Sequence, residues 1–196
     1  MERVVLLDED GRAVGTTDKA TVHHEDTPLH LAFSCYLFNG RGELLLTRRA
    51  LSKRTWPGVW TNTCCGHPAP AETPHDAVLR RLSDELGLRI ERIELVLPRF
   101  RYRAVMGNGV VENEMCPVFR AIAEVTPEPN PAEVDDTRWV SWTELVDGVR
   151  AGTADISPWA ALQITELAGL GPDPAAWPAG DPVDLPPAAR APMGAM

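Results

Sequence analysis

A single compact mixed α/β (α+β) domain, with a mixed β-sheet core flanked by helices, is the fold this chain predicts. Three observations carry the prediction. Apolar runs of strand length, rich in Val, Leu and Phe, recur along the chain, and amphipathic runs of helical period stand between them. With 44% hydrophobic and 24% charged residues among 196, the chain can bury a core without covalent staples.

Taken in order, VVLLD (4–8) before a Gly-Arg turn reads as a strand, and 30–38 and 43–49, joined at NGRG, read as a β-hairpin. Residues 57–65 read as a third strand running into a loop. Thr73 followed by Pro74 opens a helix over 74–86, with apolar residues at 78, 79, 82 and 86 and Gly87 closing it. Strands follow at 91–105, 110–124 and 138–142. Ser141 or Thr143 then caps a short helix, and Ser157-Pro158 opens another that ends near Gly169. The domain is expected to span 1–171, with 172–196, rich in Pro, Ala and Gly, a disordered tail.

The net charge of −9 argues against general affinity for nucleic acid or anionic membranes. No apolar run approaches the roughly 20 residues needed to span a bilayer, and the start carries no secretory pattern. Four cysteines, two of them adjacent, fit a reducing compartment, so a cytoplasmic protein, monomeric or weakly dimeric, is expected. Of 19 Lys and Arg only Lys19 and Lys53 are lysines, positions where a compact ammonium could be required.

The helix at 74–86 sits in a pattern of fixed spacing: Gly66, Glu72, Arg80, Asp84-Glu85-Leu86, Gly87-Leu88. This is the skeleton of the Nudix box, in which helix carboxylates hold divalent cations against a diphosphate. A hydrolase of that pattern has Glu where this chain has Arg81, which puts hydrolysis in doubt. Read alone, Arg81 and Glu85 could also be a surface i, i+4 pair, although the spacing favours the functional motif. Glu112 and Glu114, two apart on a strand, share one face. Together with His23, His30 and His67 they could form a nitrogen and oxygen site suited to Mn²⁺, Zn²⁺ or Fe²⁺ rather than Mg²⁺ alone, while His24 and His75 read as ordinary polar residues. Cys65, beside Gly66 and two residues from His67, could act as acid or base; Cys35, Cys64 and Cys116 read as buried hydrophobes. Arg48, Arg49, Lys53, Arg54 and Arg80 form a cationic cluster that would attract a phosphate-sized anion.

In order along the chain, HLAFS, TRRALSK, WPGVWTN, CCGHP, FRYRA, VENEMCPVF and SPWA resemble the type I isopentenyl-diphosphate isomerase family of the Nudix superfamily, over about residues 3–168. The resemblance implies a Nudix-like fold and reversible conversion of isopentenyl diphosphate to dimethylallyl diphosphate, with small allylic and homoallylic diphosphates as partners. It also implies metal ligands at His23, His30, His67, Glu112 and Glu114, holding Mn²⁺, Zn²⁺ or Mg²⁺, and a second ion, Mg²⁺, bridging Glu85 and the diphosphate. Cys65 and Glu114 would be the acid-base pair, with Tyr102 relaying a proton. Lys19, Arg49, Lys53 and Arg81 would bind the diphosphate, and Trp159 would lie over a carbocation. The rival readings are a Nudix pyrophosphohydrolase, left with no use for Cys65, and a non-catalytic metal-stabilised binding domain.

Overall fold

The computed structural model of the chain describes residues 2–190, and its strands divide between two sheets. In chain order they are β1 (Arg3–Leu7), β2 (Ala13–Asp18), β3 (His30–Leu31), β4 (Phe33–Phe38), β5 (Glu43–Arg49), β6 (Trp60–Thr61) and β7 (Cys64–Gly66). Helix α1 (Pro74–Leu86) follows, then β8 (Ile93–Leu97), β9 (Arg101–Val105), β10 (Val111–Met115), β11 (Val118–Ile122) and β12 (Val134–Ser141), and helices α2 (Trp142–Arg150) and α3 (Pro158–Ala168). One sheet runs β2, β1, β3, β10, β9; the other runs β12, β5, β4, β11, β8, with β6 on β5 and β7 on β4.

The expected strands 91–105 and 110–124 are each two strands, one in each sheet, with Pro98 and Pro117 at the breaks. Proline has no N–H for a ladder, so a run containing one bends or ends there. The segment from β3 to β4 crosses between the sheets in the same way at Ala32, and the two crossings run side by side. Ala32 N donates to Met115 O (2.9 Å) and Ser34 N to Pro117 O (3.0 Å). Parallel pairing therefore continues around the corner, setting His30 opposite Glu114 and Phe119 opposite Cys35.

The hairpin of β4 and β5 pairs only at Phe38 and Leu44 before the strands diverge. The expected strand 57–65 is instead a wedge in that split: β6 pairs with β5 and β7 with β4. Side chains replace the missing ladder bonds. Thr63 Oγ1 donates to Leu45 O (2.6 Å) and accepts from Leu37 N (2.9 Å), and Thr47 Oγ1 donates to Asn62 O (3.0 Å).

Alternation along β4 sends Phe33, Cys35 and Leu37 toward Val78, Leu82 and Leu86 of α1, and Tyr36 and Phe38 toward Trp142 of α2 and Trp159 and Ile164 of α3. Each such side chain, fully buried, contributes about 1.5–3 kcal/mol. Thr73 caps α1 by accepting from Asp76 N (3.1 Å), and Gly87, at φ 66°, ends it in the left-handed conformation that glycine adopts without penalty. Of the two candidate caps for α2, Ser141 is the one used.

Disorder from 172 does not describe residues 172–190; residues 191–196 lie outside the described residues. Asp173 and Asp181, each before a proline, cap 3₁₀ turns, and Trp177, 2% exposed, packs edge-on to Phe38 and Trp142. The strap is tied down by Gly180 N to Leu95 O (2.8 Å), Arg99 Nε to Asp184 O (2.9 Å) and Ala188 N to Gly11 O (3.0 Å).

Candidate active site

The corner between the sheets carries the first half of the site. His30 on β3 and Glu114 on β10 are register partners, while His67 just past β7 and His23 in the loop after β2 close around them. Glu114 Oε1 lies 3.0 Å from His67 Nε2, 3.3 Å from His30 Nε2 and 3.9 Å from His23 Nε2. The His30 ring has its other nitrogen, Nδ1, 2.9 Å from Pro28 O, so Nδ1 carries the proton and the Nε2 lone pair faces the cluster. His23 Nε2 is buried and has no hydrogen-bond partner. Four donor atoms within 4.8 Å of one another, one of them orphaned, fit a divalent cation.

Glu112 is not part of this quartet, although it was expected among the ligands. It stands behind Glu114, joined through Tyr102, whose hydroxyl lies 2.9 Å from Glu112 Oε2 and 2.8 Å from Glu114 Oε2. Burial and the neighbouring Glu114 push the Glu112 carboxyl up; Glu114 is held well down, because contacts with three imidazoles outweigh its burial. Burial pushes His67 down to about 4, which keeps its ring neutral and able to ligate.

Cys65, on β7, faces the same cavity, of about 610 Å³, as Glu114, Tyr102 and Trp159. Its thiol donates to Asn62 Oδ1 (3.0 Å) and lies 3.5 Å from Ser34 Oγ; burial pushes it up to about 11, opposed by Ser34 and by the charge of Arg49. Cys64 points the other way, into the core under α1. Trp159 enters from the first turn of α3, its ring 6.0 Å from that of Tyr102 and 5.7 Å from the Arg49 guanidinium carbon. Gly66 lets α1 approach, since a Cβ there would stand 3.1 Å from Phe33 and 3.3 Å from Arg81 Cγ.

The cavity is also lined by cations. Lys19, Arg49, Lys53 and Arg81 all line it, and so does Glu85. Each cation already has a partner: Lys19 with Glu2 (2.6 Å), Lys53 with Glu133, Arg81 with Glu85 and, at 2.8 Å, with Glu133, and Arg49 with Thr55 O (2.9 Å). Arg81 and Glu85 are thus a buried pair, and not the exposed one that helix spacing allows. Burial pushes the Glu85 carboxyl up against the pull of Arg81. Of the expected cationic cluster, Arg54 reaches the cavity, but Arg48 turns to Asp135 (3.2 Å) and Arg80 to Glu72 (2.7 Å), both outside it. His75 is exposed and His24 stays out of the imidazole cluster, as expected.

Glu2, Glu133 and Asn62 were not anticipated. For Asn62 the signal was available: three polar residues in a row, Thr61, Asn62 and Thr63, in a segment of strand character must be bonded if buried. Nothing local to Glu133 marks it, because its partners are about 50 and 80 residues away.

A NUDIX domain model matches residues 28–160. The chain is 66% identical to "Isopentenyl-diphosphate Delta-isomerase" of Saccharopolyspora erythraea over 189 residues, 96% of this chain and 97% of that protein. It is 59% identical to the protein of the same name from Mycolicibacterium vanbaalenii, covering 87% and 94% of the two chains, and 50% identical to that of Rhizobium rhizogenes, covering 96% and 91%. Among solved structures, a protein of Deinococcus radiodurans superposes with TM-score 0.63 at 21% identity, covering 84% of this chain and 98% of its own, and a MutT protein of Methanosarcina mazei with TM-score 0.58 at 18%, covering 72% and 94%. These two likenesses concern the fold. No helix among the described residues is long and apolar enough to cross a membrane.

Proposed function

Because the chain belongs to the isopentenyl-diphosphate Delta-isomerase family of Nudix-domain enzymes and interconverts isopentenyl and dimethylallyl diphosphate, we propose that Cys65 and Glu114 are the groups that move its protons. The observation that carries this reading is that both line one cavity whose wall also includes Trp159 and the cations Lys19, Arg49, Lys53 and Arg81.

The reaction moves a double bond by one position without redox change. Protonating the terminal alkene carbon creates a tertiary cation, and removing a proton from the carbon nearer the diphosphate completes the shift. In the forward direction Glu114, in contact with Tyr102, gives the first proton and the Cys65 sulfur takes the second. That direction starts from protonated Glu114 and the Cys65 thiolate, the minor form of a pair whose carboxyl is held down and whose thiol is pushed up. Thiolate with protonated carboxyl, and thiol with carboxylate, differ by one proton carried across the substrate, so the return direction uses the same two groups. Trp159 stabilises the cation by about 0.5–2 kcal/mol and helps exclude the water that would convert it to an alcohol.

His23, His30, His67 and Glu114 would hold one divalent ion, Mn²⁺, Zn²⁺ or Mg²⁺, with Glu112 behind them, and Glu85 would bear a Mg²⁺ against the diphosphate. When bound, these ions supply positive charge that orients Glu114 and offsets the substrate's phosphates. Lys19, Lys53 and Arg81 exchange their carboxylate partners for phosphate oxygens, and Arg49 adds a planar fork. Arg81, where a hydrolase carries a carboxylate, holds the diphosphate intact. We place the enzyme in the cytoplasm as a monomer or weak dimer, acting on small diphosphates without nucleic acid or membrane.

Proton NMR of the enzyme with isopentenyl diphosphate and Mg²⁺ in D₂O tests this. Dimethylallyl diphosphate carrying solvent deuterium at the new methyl is the expected product, and its formation should slow by about 10²–10⁴-fold with Cys65→Ala or Glu114→Gln. Release of phosphate or pyrophosphate, or undiminished turnover by either variant, would overturn the assignment.

A further inference from the structure

The side chain of Asn62 is fully buried, with both ends of its amide engaged. Nδ2 donates to the backbone carbonyls of Cys35 (3.0 Å) and Cys64 (2.9 Å). Oδ1 accepts from three donors: the Thr61 hydroxyl (3.0 Å), the Cys65 thiol (3.0 Å) and the Trp159 indole N–H (3.2 Å). Only one orientation of the amide is compatible with these neighbours. Reversed, it would set its oxygen against two carbonyl oxygens and its NH₂ against an indole N–H that cannot accept. In the thiol form the Cys65 proton therefore points toward Asn62, away from the cavity, which fixes where the sulfur sits; the sulfur takes the substrate's proton only after that proton has left, as the thiolate.

The oxygen that holds the sulfur also holds the ring. Thr61 ties the same group to the start of α3, since its hydroxyl lies 2.8 Å from Ser157 Oγ, and Ser157 N donates to Trp60 O (2.8 Å). Trp159 is two residues further on, in the first turn of that helix.

We propose that Asn62 is a positioning residue for the isomerisation: a single carbonyl oxygen fixes the Cys65 sulfur and the Trp159 ring relative to each other. Proton transfer and cation stabilisation thereby address one substrate pose. The inference rests on Cys65 acting as proposed above. Asn62 itself touches no substrate; without it, the sulfur and the ring can each move independently, and a misplacement of about 1 Å costs on the order of 100-fold in rate.

The test compares Asn62→Leu, which removes the acceptor, with Asn62→Asp, which keeps an oxygen there. Turnover should fall about 100-fold for Leu and less for Asp. KM and the calorimetric affinity for inorganic pyrophosphate with Mg²⁺ should stay near the parent values, because Asn62 bonds none of Lys19, Arg49, Lys53 or Arg81. In D₂O, deuterium exchanged into the carbon next to the diphosphate should enter from one face in the parent and from both in Asn62→Leu. Unchanged turnover in a folded variant, or a loss of turnover matched by an equal loss of pyrophosphate affinity, would overturn the proposal. If neither variant folds, the infrared S–H stretch of the parent, with Cys65→Ala as the blank, decides: a band shifted below that of a free thiol supports the bond to Asn62, and an unshifted band refutes it. Undiminished turnover by Cys65→Ala would refute the role of Cys65, whereas an inactive Cys65→Ala beside fully active Asn62 variants would refute the Asn62 proposal alone.

Discussion

At Cys65 and Arg81 a single substitution separates chemistry from scaffold. Cys65→Ala should lower turnover by about 10²–10⁴-fold while the metal content measured by elemental analysis is retained, since the sulfur lies outside the imidazole quartet. Equal loss of metal and activity would make its role structural. Arg81→Glu, which restores the hydrolase pattern, should create no hydrolase. It removes the cation between Glu85 and Glu133 and adds a third acid, and leaving buried charge uncompensated costs about 3–5 kcal/mol, readable as a lower urea midpoint. The ligands were legible as residue types, but 91 positions separate His23 from Glu114, so their convergence rested on the family resemblance and not on spacing. Glu133 was illegible because its meaning comes wholly from distant Lys53 and Arg81.

The elements were legible wherever a local cause sets them. Thr73 and Gly87 bound α1 as anticipated, and Pro98 and Pro117 stood in the sequence at the breaks of what otherwise read as two long strands. β2 escaped notice because AVGTTD is largely exposed and shows no apolar alternation. The wedge of β6 and β7 could not be read, since its pairing depends on two strands diverging and on side chains that take over ladder bonds. Thr63→Val tests that substitution of side chain for backbone. It strips the Leu37 N–H of its acceptor in a dry interior, so stability should drop by about 1–3 kcal/mol and the Leu37 amide should exchange faster; unaltered exchange would show that the wedge is held otherwise.

For the molecule as a whole, the strap over 172–190 is where composition misled most. Its Pro, Ala and Gly content argued for disorder, but two Asp-Pro caps and one tryptophan suffice to dock it. Trp177→Ala should cost about 3–5 kcal/mol, seen as a lowered Tm, and removing everything after Gly171 should cost more; an unchanged Tm would show that the strap only rests on the core. Chelation of divalent metal should likewise lower Tm, by mass action on an ion bound only by the folded corner. That corner also governs which changes of length the gene can survive. Because β3 and β4 run beside β10 and β11 through a shared bend, a residue inserted or deleted between His30 and Ser34, or between Glu114 and Val118, would bring Asn113 or Met115 opposite His30 and part the Glu114 carboxylate from the His30 ring. Side chains along these two stretches can drift, but their spacing cannot, so viable insertions and deletions should collect in the connecting loops and be absent from both crossings.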